Sequence, residues 1–477
     1  MQNKRDQLQA YRFVMARLIS AMVHGEPDVP ETPMRRSKAG VVIGAILAAL
    51  VLAGFGVYGL VVRGGNTAWR EPGTIIVEKE TGTRYLLLDG TLRPVLNYAS
   101  ARLAVGTDRA MVRTVSRASL TGVPHGRPIG IPDAPDALPD AGHLLTDDWL
   151  VCAPLAQDVS GVKAPTTVVS LRGIQAAAPL GADRAALVRS SDGTLFLLWR
   201  DLRLRAPDPG VLMALGFGAV APLPVDAAWL NAFRAGPDLR AEALEGRGQP
   251  GPAIDGRPTR VGQVFAVALP SGGHTHYLVR RDGISPLSPM EATVHLADPG
   301  TAAAYQGQPI KAIEVTSTQV AAAPRSAVAT QASELPAQPP KAEPGLVQGD
   351  QALCAHLSFT GADGSPPELV TIHTGQLETR PTPPGAGAGD TMIADSVNVP
   401  PGAGTVIAAQ AAPGVPTGTR YLLTDLGLKY PLASDEAASA LGFAGVAALP
   451  VPTAVLNFIP TGPVLDIGSA RIERTWR

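Results

Sequence analysis

The chain has 477 residues, enough for two to four ordinary domains, and 51 of them are Gly and 45 are Pro. Aromatic residues make up 5 % of the chain. This composition favours many short strands and turns over helical bundles. The net charge of −1 provides no global basic field, so we predict no nucleic-acid partner.

The first segment, residues 1–38, carries apolar side chains at alternating spacings of three and four. These are Leu8, Tyr11, Met15, Leu18 and Met22. The spacing predicts an amphipathic helix of about twenty residues that ends near Gly25 and Pro27. So short a segment cannot form a domain of its own. We therefore expect the apolar stripe to dock on another protein or to lie on the inner leaflet of the membrane.

The next segment predicts a transmembrane helix. The 24 residues from Ala39 to Val62 carry no charge, and about 20 apolar residues cross a bilayer core. A cleaved signal peptide would have a shorter apolar region that starts nearer to Met1. We therefore assign 39–63 to one membrane helix. Within it, Gly40, Gly44, Ala45 and Ala49 form a small-residue face that is suited to close helix packing, although Gly and Ala are also common in such helices.

The charges that flank this helix predict its orientation. Residues 1–38 contain four acidic side chains and seven basic ones, namely Lys4, Arg5, Arg12, Arg17, Arg35, Arg36 and Lys38. The positive-inside rule then places the N-terminus in the cytoplasm. Residues 64–477 would lie outside the cell membrane, in the periplasm.

Both cysteines, Cys152 and Cys354, fall in this outer region. Two cysteines in an oxidising compartment most simply form one disulfide. A metal site would need further ligands nearby, and only His356 is adjacent to either cysteine in sequence. A nucleophilic cysteine would need a histidine base, which spacing alone cannot assign.

The outer region contains internal repeats. The motif GTRYLL occurs at 82–87 and again at 418–423, with looser copies at 193–198 and 276–279. Four further motif pairs between the second and fourth copies share one offset of 226 residues, for example LGF at 215–217 and at 441–443. Each copy predicts a β-hairpin followed by a short helix, which begins near Asp208 in the second copy and near Ser434 in the fourth.

These observations predict the division of the chain. The segments are a cytoplasmic segment (1–38), the membrane helix (39–63), repeat 1 (72–125), the first part of a central domain (126–190), repeat 2 (191–250), repeat 3 (251–320), a linker (321–349), the second part of the central domain (350–412), repeat 4 (413–467) and a tail (468–477). The linker is rich in Pro, Ala and Gln, so we expect it to be exposed and poorly ordered.

Sequence motifs for catalysis are missing. No Gly-Lys pair occurs in the chain, so the phosphate-binding loop GxxxxGK[ST] is absent, as are GxSxG and HExxH. His274 and His276 would share one face of a strand, but no third metal ligand is evident. We therefore predict no catalytic residue, no metal and no cofactor, and in particular no bound ATP.

Several scattered motifs carry a resemblance to a known family. They are QAYRF at 9–13, PVLNYASARL at 94–103, GIPDAP at 130–135, WLVC at 149–152 and ADSVNVPPG at 394–402. With these motifs the chain resembles EccB, the single-pass core subunit of actinobacterial type VII (ESX) secretion systems. The resemblance covers nearly the whole chain, and 321–349 is its least typical part.

The resemblance implies an α+β protein, with an N-terminal helix, one transmembrane helix and an elongated extracytoplasmic region of four small α/β repeats around a β-rich central domain. It also implies that Cys152 and Cys354 bridge the two halves of that centre. The implied partners are EccC, EccD and EccE, further copies of the chain itself, and membrane lipid. The implied function is a structural core component of the secretion complex. An extracytoplasmic ATPase and a peptidoglycan-binding module remain alternatives.

Overall fold

The computed structural model describes residues 4–25, 34–61, 67–146, 148–157, 163–171, 177–327, 334–346, 350–359, 365–378, 393–412 and 414–475. The chain is a mixed α+β protein that begins with two helices, α1 (Lys4–His24) and α2 (Met34–Val61). Within α2, Ala39–Tyr58 is long and apolar enough to cross a membrane. This candidate membrane helix lies where the uncharged run predicts one, because nothing in that run interrupts the helix.

Four sheets of the outer region share one strand order. Each has a first strand that pairs antiparallel with the second, a second that pairs antiparallel with the third, and a fourth that pairs parallel with the first. We call the four regions unit 1 (67–125), unit 2 (184–238), unit 3 (248–326) and unit 4 (404–475). The sheet strands are β1 (Thr74–Glu78), β2 (Arg84–Leu88), β3 (Thr91–Pro94) and β4 (Met111–Val115) in unit 1; β10 (Arg184–Ser190), β11 (Leu195–Trp199), β12 (Leu202–Arg205) and β13 (Leu223–Val225) in unit 2; β15 (Val264–Ala268), β16 (His274–Val279), β17 (Ile284–Leu287) and β18 (Ile313–Glu314) in unit 3; and β23 (Gly404–Ala412), β24 (Val415–Thr424), β25 (Lys429–Leu432) and β26 (Leu449–Pro452) in unit 4. In unit 2, β14 (Arg234–Ala235) adds a short edge strand next to β12.

A helix follows the third strand of every unit. These helices are α3 (Tyr98–Val105), α5 (Pro209–Ala214), α6 (Pro289–Ala297) and α9 (Asp435–Leu441). Each begins after a residue whose side-chain oxygen accepts a backbone N–H of the first turn, namely Asn97, Asp208, Ser288 and Ser434. The sequence therefore located the helix starts of units 2 and 4 correctly. Shorter helices are α4 (Arg117–Leu120), α7 (Ala302–Tyr305), α8 (Ser317–Ala322), α10 (Thr453–Leu456) and α11 (Ile467–Ala470).

Two sheets begin earlier than the boundaries drawn from the sequence. The strand β10 lies before residue 191 and β23 lies before residue 413, yet each is the first strand of its unit's sheet. The sequence places both in the central domain because the recurring motif starts only at the hairpin turn that follows the first strand.

A separate sheet joins the two halves of the outer region. Its strands are β5 (Trp149–Ala153), β8 (Val168–Ser170), β9 (Ala178–Pro179), β20 (Gln351–Leu357), β21 (Glu368–His373) and β22 (Ser396–Asn398), in the order β22-β8-β5-β20-β21-β9. The first half contributes the pair β5–β8 and the second half the pair β20–β21. In addition, β9 of the first half pairs with β21 of the second, and β22 of the second half pairs with β8 of the first. We call β9 and β22 the crossed strands, because each lies against the other half's pair. A small hairpin, β6 (Leu155–Gln157) and β7 (Lys163–Pro165), lies between β5 and β8.

The four units pack in two pairs. Units 1 and 4 share a hydrophobic core built around α3, α9 and α11, and units 2 and 3 share one built around α5 and α6. A third core joins the central sheet to units 2 and 4, with Trp149, Trp229 and Phe458 fully buried in it. Each unit buries little surface alone, so pairing supplies the missing core.

The segment 321–349 differs from the expected exposed linker. Residues 321 and 322 end α8, and Arg325 bridges to Ile284. The short strand β19 (Lys341–Ala342) pairs parallel with β10, and Leu346 is buried. The Pro-rich composition excludes regular helix but still allows an extended chain to lie along a free sheet edge. Residues 328–333 and 347–349 lie outside the described residues.

Candidate functional site

The central sheet contains the one disulfide of the chain. Cys152 on β5 and Cys354 on β20 are direct partners in the antiparallel pairing, and their sulfur atoms are 2.05 Å apart. Their Cα atoms are 3.9 Å apart, well inside the roughly 7 Å beyond which two cysteines cannot be bridged. Both side chains are fully buried among Leu150, Val168 and Ile372. The bond therefore joins the two halves of the outer region at the middle of their common sheet.

Aromatic side chains connect this centre to unit 2. The indole Nε1 of Trp229 donates to the carbonyl oxygen of Val151 at 2.9 Å, next to Cys152 in the chain. Trp149 packs edge-to-face on Phe359, with ring centroids 5.1 Å apart. The Trp229 bond ties the disulfide strand to unit 2, whereas the Trp149 contact stays within the central region, between β5 and the residues that follow β20. The WLVC motif was recognised in the sequence, but nothing there pointed to Trp229 as its partner.

His356, the histidine near Cys354, engages acidic groups. Its Nε2 lies 3.1 Å from Asp148 Oδ2, and its Nδ1 lies 3.7 Å from Glu368 Oε2. Asp148 also accepts the backbone N–H of Phe359 at 3.3 Å. The arrangement braces β5, β20 and β21 beside the disulfide. Among the described residues, no group of three or more His, Cys, Asp or Glu side chains is placed to hold a metal ion.

The second histidine pair lies on β16 of unit 3. The rings of His274 and His276 are 6.2 Å apart between centroids, as the strand spacing predicts. Burial lowers the pKa of His276, and the neighbouring His274 adds to this effect. A depressed pKa keeps the imidazole neutral, but neutral imidazoles alone do not make a metal site. The pair is a surface feature of the strand.

The stripe predicted on α1 is exposed in the structure. Its five side chains, Leu8, Tyr11, Met15, Leu18 and Met22, are between 43 % and 81 % exposed. Val14 and Ile19 are also exposed and widen the stripe, and Phe13 lies on roughly the opposite side of the helix. The apolar surface of α1 is therefore less one-sided than the predicted amphipathic pattern. Docking of this surface on a partner stays a prediction.

The small-residue face on α2 is likewise uncovered. A Cβ added at Gly40 or at Gly44 would meet open space, and Ala45 and Ala49 are exposed. No described part of the chain packs there. The face is free for another helix or for lipid, and which of them covers it stays a prediction.

An open cavity of about 310 Å³ lies on unit 2, lined by Ser190, Asp192, Phe196, Arg203, Arg205, Ala227, Leu230, Ala235, Gly236 and Asp238. Arg203 is half-buried, and burial lowers its pKa. Its guanidinium donates to Asn231 Oδ1 at 2.9 Å. At the equivalent place in unit 4, 226 residues later, Lys429 is buried and donates to the carbonyl of Ile459.

A second open cavity, of about 460 Å³, lies between unit 2 and the segment around β19. Its lining is mostly apolar and includes Leu187, Val220, Pro344 and Leu346, with Glu343 as its charged residue. The Glu343 carboxylate opposes binding of a nucleoside triphosphate, which needs basic groups or backbone N–H donors around its phosphates. This cavity therefore offers no support for an ATP site.

Comparisons with known proteins place the chain among secretion proteins. The family model described as "Type VII secretion system ESX-1, transport TM domain B" matches residues 2–475. The protein named ESX-3 secretion system ATPase EccB3 from Mycolicibacterium smegmatis is 30 % identical over 98 % of this chain and 90 % of its own length.

Solved structures agree with the sequence comparisons. A chain of the EccB3 dimer from the ESX-3 core complex superimposes with a TM-score of 0.65 at 27 % identity, covering 83 % of this chain and 99 % of that chain. A chain of the intact ESX-5 inner membrane complex has the same fold, with a TM-score of 0.66 at 22 % identity, covering 100 % of this chain and 96 % of that chain.

Proposed function

The chain belongs to the EccB family of type VII secretion systems, and from this premise we propose that it is a structural core subunit of an ESX inner-membrane complex. The solved relatives are a dimer from an ESX-3 core complex and a chain of an ESX-5 inner membrane complex. By analogy, this chain would contact EccC, EccD and EccE subunits and further copies of itself. Its contribution is to hold the assembly together.

The observation that carries this proposal is the contrast between the two ends of the chain. The outer region buries its apolar side chains in cores of its own, whereas α1 and α2 leave theirs exposed. Exposed apolar surface on α2 is suited to lipid or to another membrane helix. Exposed apolar surface on α1 needs another partner, and a partner subunit provides one.

A pair of substitutions on α1 tests the proposal. Replacing Leu18 and Met22 with Asp buries two carboxylates in any contact made by the stripe, which is costly without compensation. We expect EccC-like and EccD-like subunits to be lost when the tagged chain is purified in mild detergent. The matched control, Gln9→Asp with Ala16→Asp, adds the same charges on the opposite side of the helix. Equal recovery of partners with both variants would contradict the proposal.

We further propose that the N-terminus is cytoplasmic and that residues 64–477 are periplasmic. The basic residues before α2 support this orientation, and a disulfide on the far side of the membrane supports it independently, because such bonds persist in oxidising compartments. In spheroplasts, a tag before Lys4 should resist added protease, and a tag after residue 475 should be digested.

The four units are proposed to be copies of one repeat. Their common strand order and the 226-residue offset between units 2 and 4 support this assignment. With the first strands included, the divisions become 67–125, 184–238, 248–326 and 404–475. The test is an experimental structure in which units 2 and 4 are superimposed, and a different strand order in either one would contradict a common origin.

Assembly without catalysis is the remaining part of the proposal. Curated relatives carry the word ATPase in their names, but this chain has no Gly-Lys pair to cradle a phosphate. The full-length chain in detergent should hydrolyse ATP no faster than a buffer control. Turnover that is lost on Arg203→Gln, but kept on Arg257→Gln, would favour the ATPase alternative and a site in the unit 2 cavity.

A further inference from the structure

The edge strand of unit 1, β4, leaves most of its side chains exposed, unlike the equivalent strands of units 2 and 4. On β4, Met111, Val112, Arg113 and Thr114 are all exposed, with Met111 at 43 % and Val112 at 49 %. The equivalent strands of units 2 and 4 instead bury alternate residues in the core of the central sheet, for example Val225 and Val451. β4 is thus a five-residue edge strand with apolar side chains that no described part of the chain covers.

Unit 1 is also the unit tied most closely to the membrane helix. α2 ends at Val61, and the 3₁₀ turn Thr67–Arg70 begins unit 1. Five residues between them span at most about 20 Å even when fully extended. Trp69 of this turn is buried on one face of the sheet, against Ile76, Val115 and Leu120. The face that carries Trp69 is therefore held near the bilayer.

The strand register places two exposed side chains of β4 on that same face. In the parallel pairing, Met111 is opposite Thr74 and Arg113 is opposite Ile76. Alternate residues of a strand share a face, so Met111 and Arg113 lie at the exposed margin of the Trp69 face. Arg70, whose guanidinium carbon is 4.9 Å from the Trp69 ring centroid, is exposed there as well.

The charges along this margin are basic. Residues 109–117, RAMVRTVSR, contain three arginines and no acidic residue. Arg117 is paired with Glu78 at 2.6 Å, and Glu71 and Asp108 adjoin Arg70 and Arg109 in sequence. Arg113 forms no ion pair with any residue in the described ranges. It is an uncompensated cation next to exposed Met111.

We propose that β4 and the adjoining Trp69 face of unit 1 rest on the membrane surface, with Arg113 against the phosphate of an anionic phospholipid. Met111 and Val112 would lie at the level of the headgroups. The free backbone groups of an edge strand find partners among headgroups and water but not in hydrocarbon, which limits the depth of contact. The inference rests on the proposed function in one respect, since it requires that α2 spans the bilayer.

The experiment uses the full-length chain in nanodiscs of phosphatidylcholine and phosphatidylglycerol, with a fraction of lipid that carries a headgroup nitroxide. Both native cysteines are in the disulfide, so Thr114→Cys provides the only free thiol for a bimane label. The matched position is Glu314→Cys on β18 of unit 3. In unit 1, Arg113 is opposite Ile76, which pairs with Tyr85. In unit 3, Ile313 is opposite Phe265, which pairs with Tyr277. The next residues along the two strands, Thr114 and Glu314, are therefore equivalent.

We expect the nitroxide lipid to quench the label at 114 strongly and the label at 314 little. Adding Arg113→Gln should reduce the lipid-bound population about five-fold, whereas Arg257→Gln on unit 3 should leave it unchanged. Equal quenching at both positions, or quenching that ignores Arg113→Gln, overturns the proposal. Failure of α2 to insert is seen separately, because the chain then does not co-elute with the nanodiscs.

Discussion

The two pairs of units fill their common cores with helix side chains of different size. Between units 1 and 4 the facing helices contribute alanines, which are Ala99, Ala101 and Ala104 on α3 and Ala437, Ala438 and Ala440 on α9. Between units 2 and 3 the contributions are larger, with Val211, Leu212 and Leu215 from unit 2 meeting Met290 and Val294 of α6. One topology therefore places mostly alanines on the facing helices of one pair and larger side chains on those of the other.

The polar contacts follow the same division. Across the 1–4 junction, arginines reach backbone carbonyls: Arg102 Nε donates to Ala440 O at 3.0 Å, and Arg471 Nε donates to Ala104 O at 2.9 Å. At the 2–3 junction, the chain that connects the units donates to α6 and its end, with Ala241 N bonding Asp298 Oδ2 at 2.6 Å. Added volume should therefore damage the first junction, and lost volume the second.

The largest effect is expected from the disulfide, which closes a loop that contains units 2 and 3. Cys152→Ala with Cys354→Ala should lower the free energy of unfolding by about 5 kcal/mol at most, since 202 residues separate the two cysteines. The measurement is urea denaturation followed by tryptophan fluorescence. Hydrogen exchange should rise more in units 2 and 3 than in units 1 and 4. Equal increases in all four units would mean that the loop does not govern the effect.

Lost volume at the 2–3 junction should give the next largest effect. Met290→Ala removes a fully buried side chain and should cost about 3 kcal/mol, because the cavity left behind relaxes only in part. Hydrogen exchange should increase around α5 and α6 and stay unchanged around α3 and α9. The control is Met213→Ala on α5, where the side chain is 68 % exposed and its loss should cost little.

Acid should weaken the same junction. Burial, with Arg247 nearby, lowers the pKa of His295 on α6 to about 4, and the imidazole also faces Glu242, Glu291 and Asp298. Since this pKa is below the unfolded value of about 6.5, the unfolded chain binds the proton more readily. The stabilising contribution is complete above pH 6.5 and is lost as the pH falls toward 4, by about 3 kcal/mol.

The His295 prediction is checked by urea denaturation at several pH values between 7 and 4. His295→Met should flatten the pH dependence over that window, since the titrating group is gone. If His295→Met leaves the slope unchanged, another group causes the loss. Exchange at the 1–4 junction should not follow this profile.

Added volume at the 1–4 junction should give the smallest effect. Ala440→Leu inserts a large side chain where the residue is fully buried beside α3, at a cost of about 1.5 kcal/mol. The bond from Arg102 to the carbonyl of residue 440 should weaken with it. Ala118→Leu, at an exposed position of α4, is the control. A tolerated Ala440→Leu, with unchanged thermal unfolding, would show that a small side chain is not required at this position.

Local signals made part of this fold predictable. The candidate membrane helix follows from one uncharged run, and the hairpins with their capped helices follow from turn residues and from Asp208 and Ser434. The sequence boundaries of units 2 and 4 left out the first strands, β10 and β23, because these strands lack the repeated motif. The crossed strand β9 contains only two residues, too few for any periodic pattern to predict it.

Long-range contacts set the limit for the candidate sites. Two cysteines in one compartment leave a single pairing, so their bond could be predicted from number alone. The exposure of Arg113 and the partial burial of Arg203 depend on how units 1 and 2 pack against the rest of the chain. Those contacts join residues far apart in sequence, and no local pattern predicts them. The apolar residues of α1 were found by spacing, but no described part of the chain covers them, so sequence alone identifies no partner.

The crossed central sheet has a consequence for biogenesis. When the first half of the outer region emerges from the ribosome, β5 has its β8 partner, but β20 does not yet exist. Cys152 must then wait for 202 further residues, roughly 10–40 s at ordinary translation rates. During that interval an apolar strand edge and the Cys152 thiol are both unpaired. With the outer region on the periplasmic side, as proposed, we therefore expect production of this protein to depend on holding factors there and on an oxidant that acts late, after the second half has arrived.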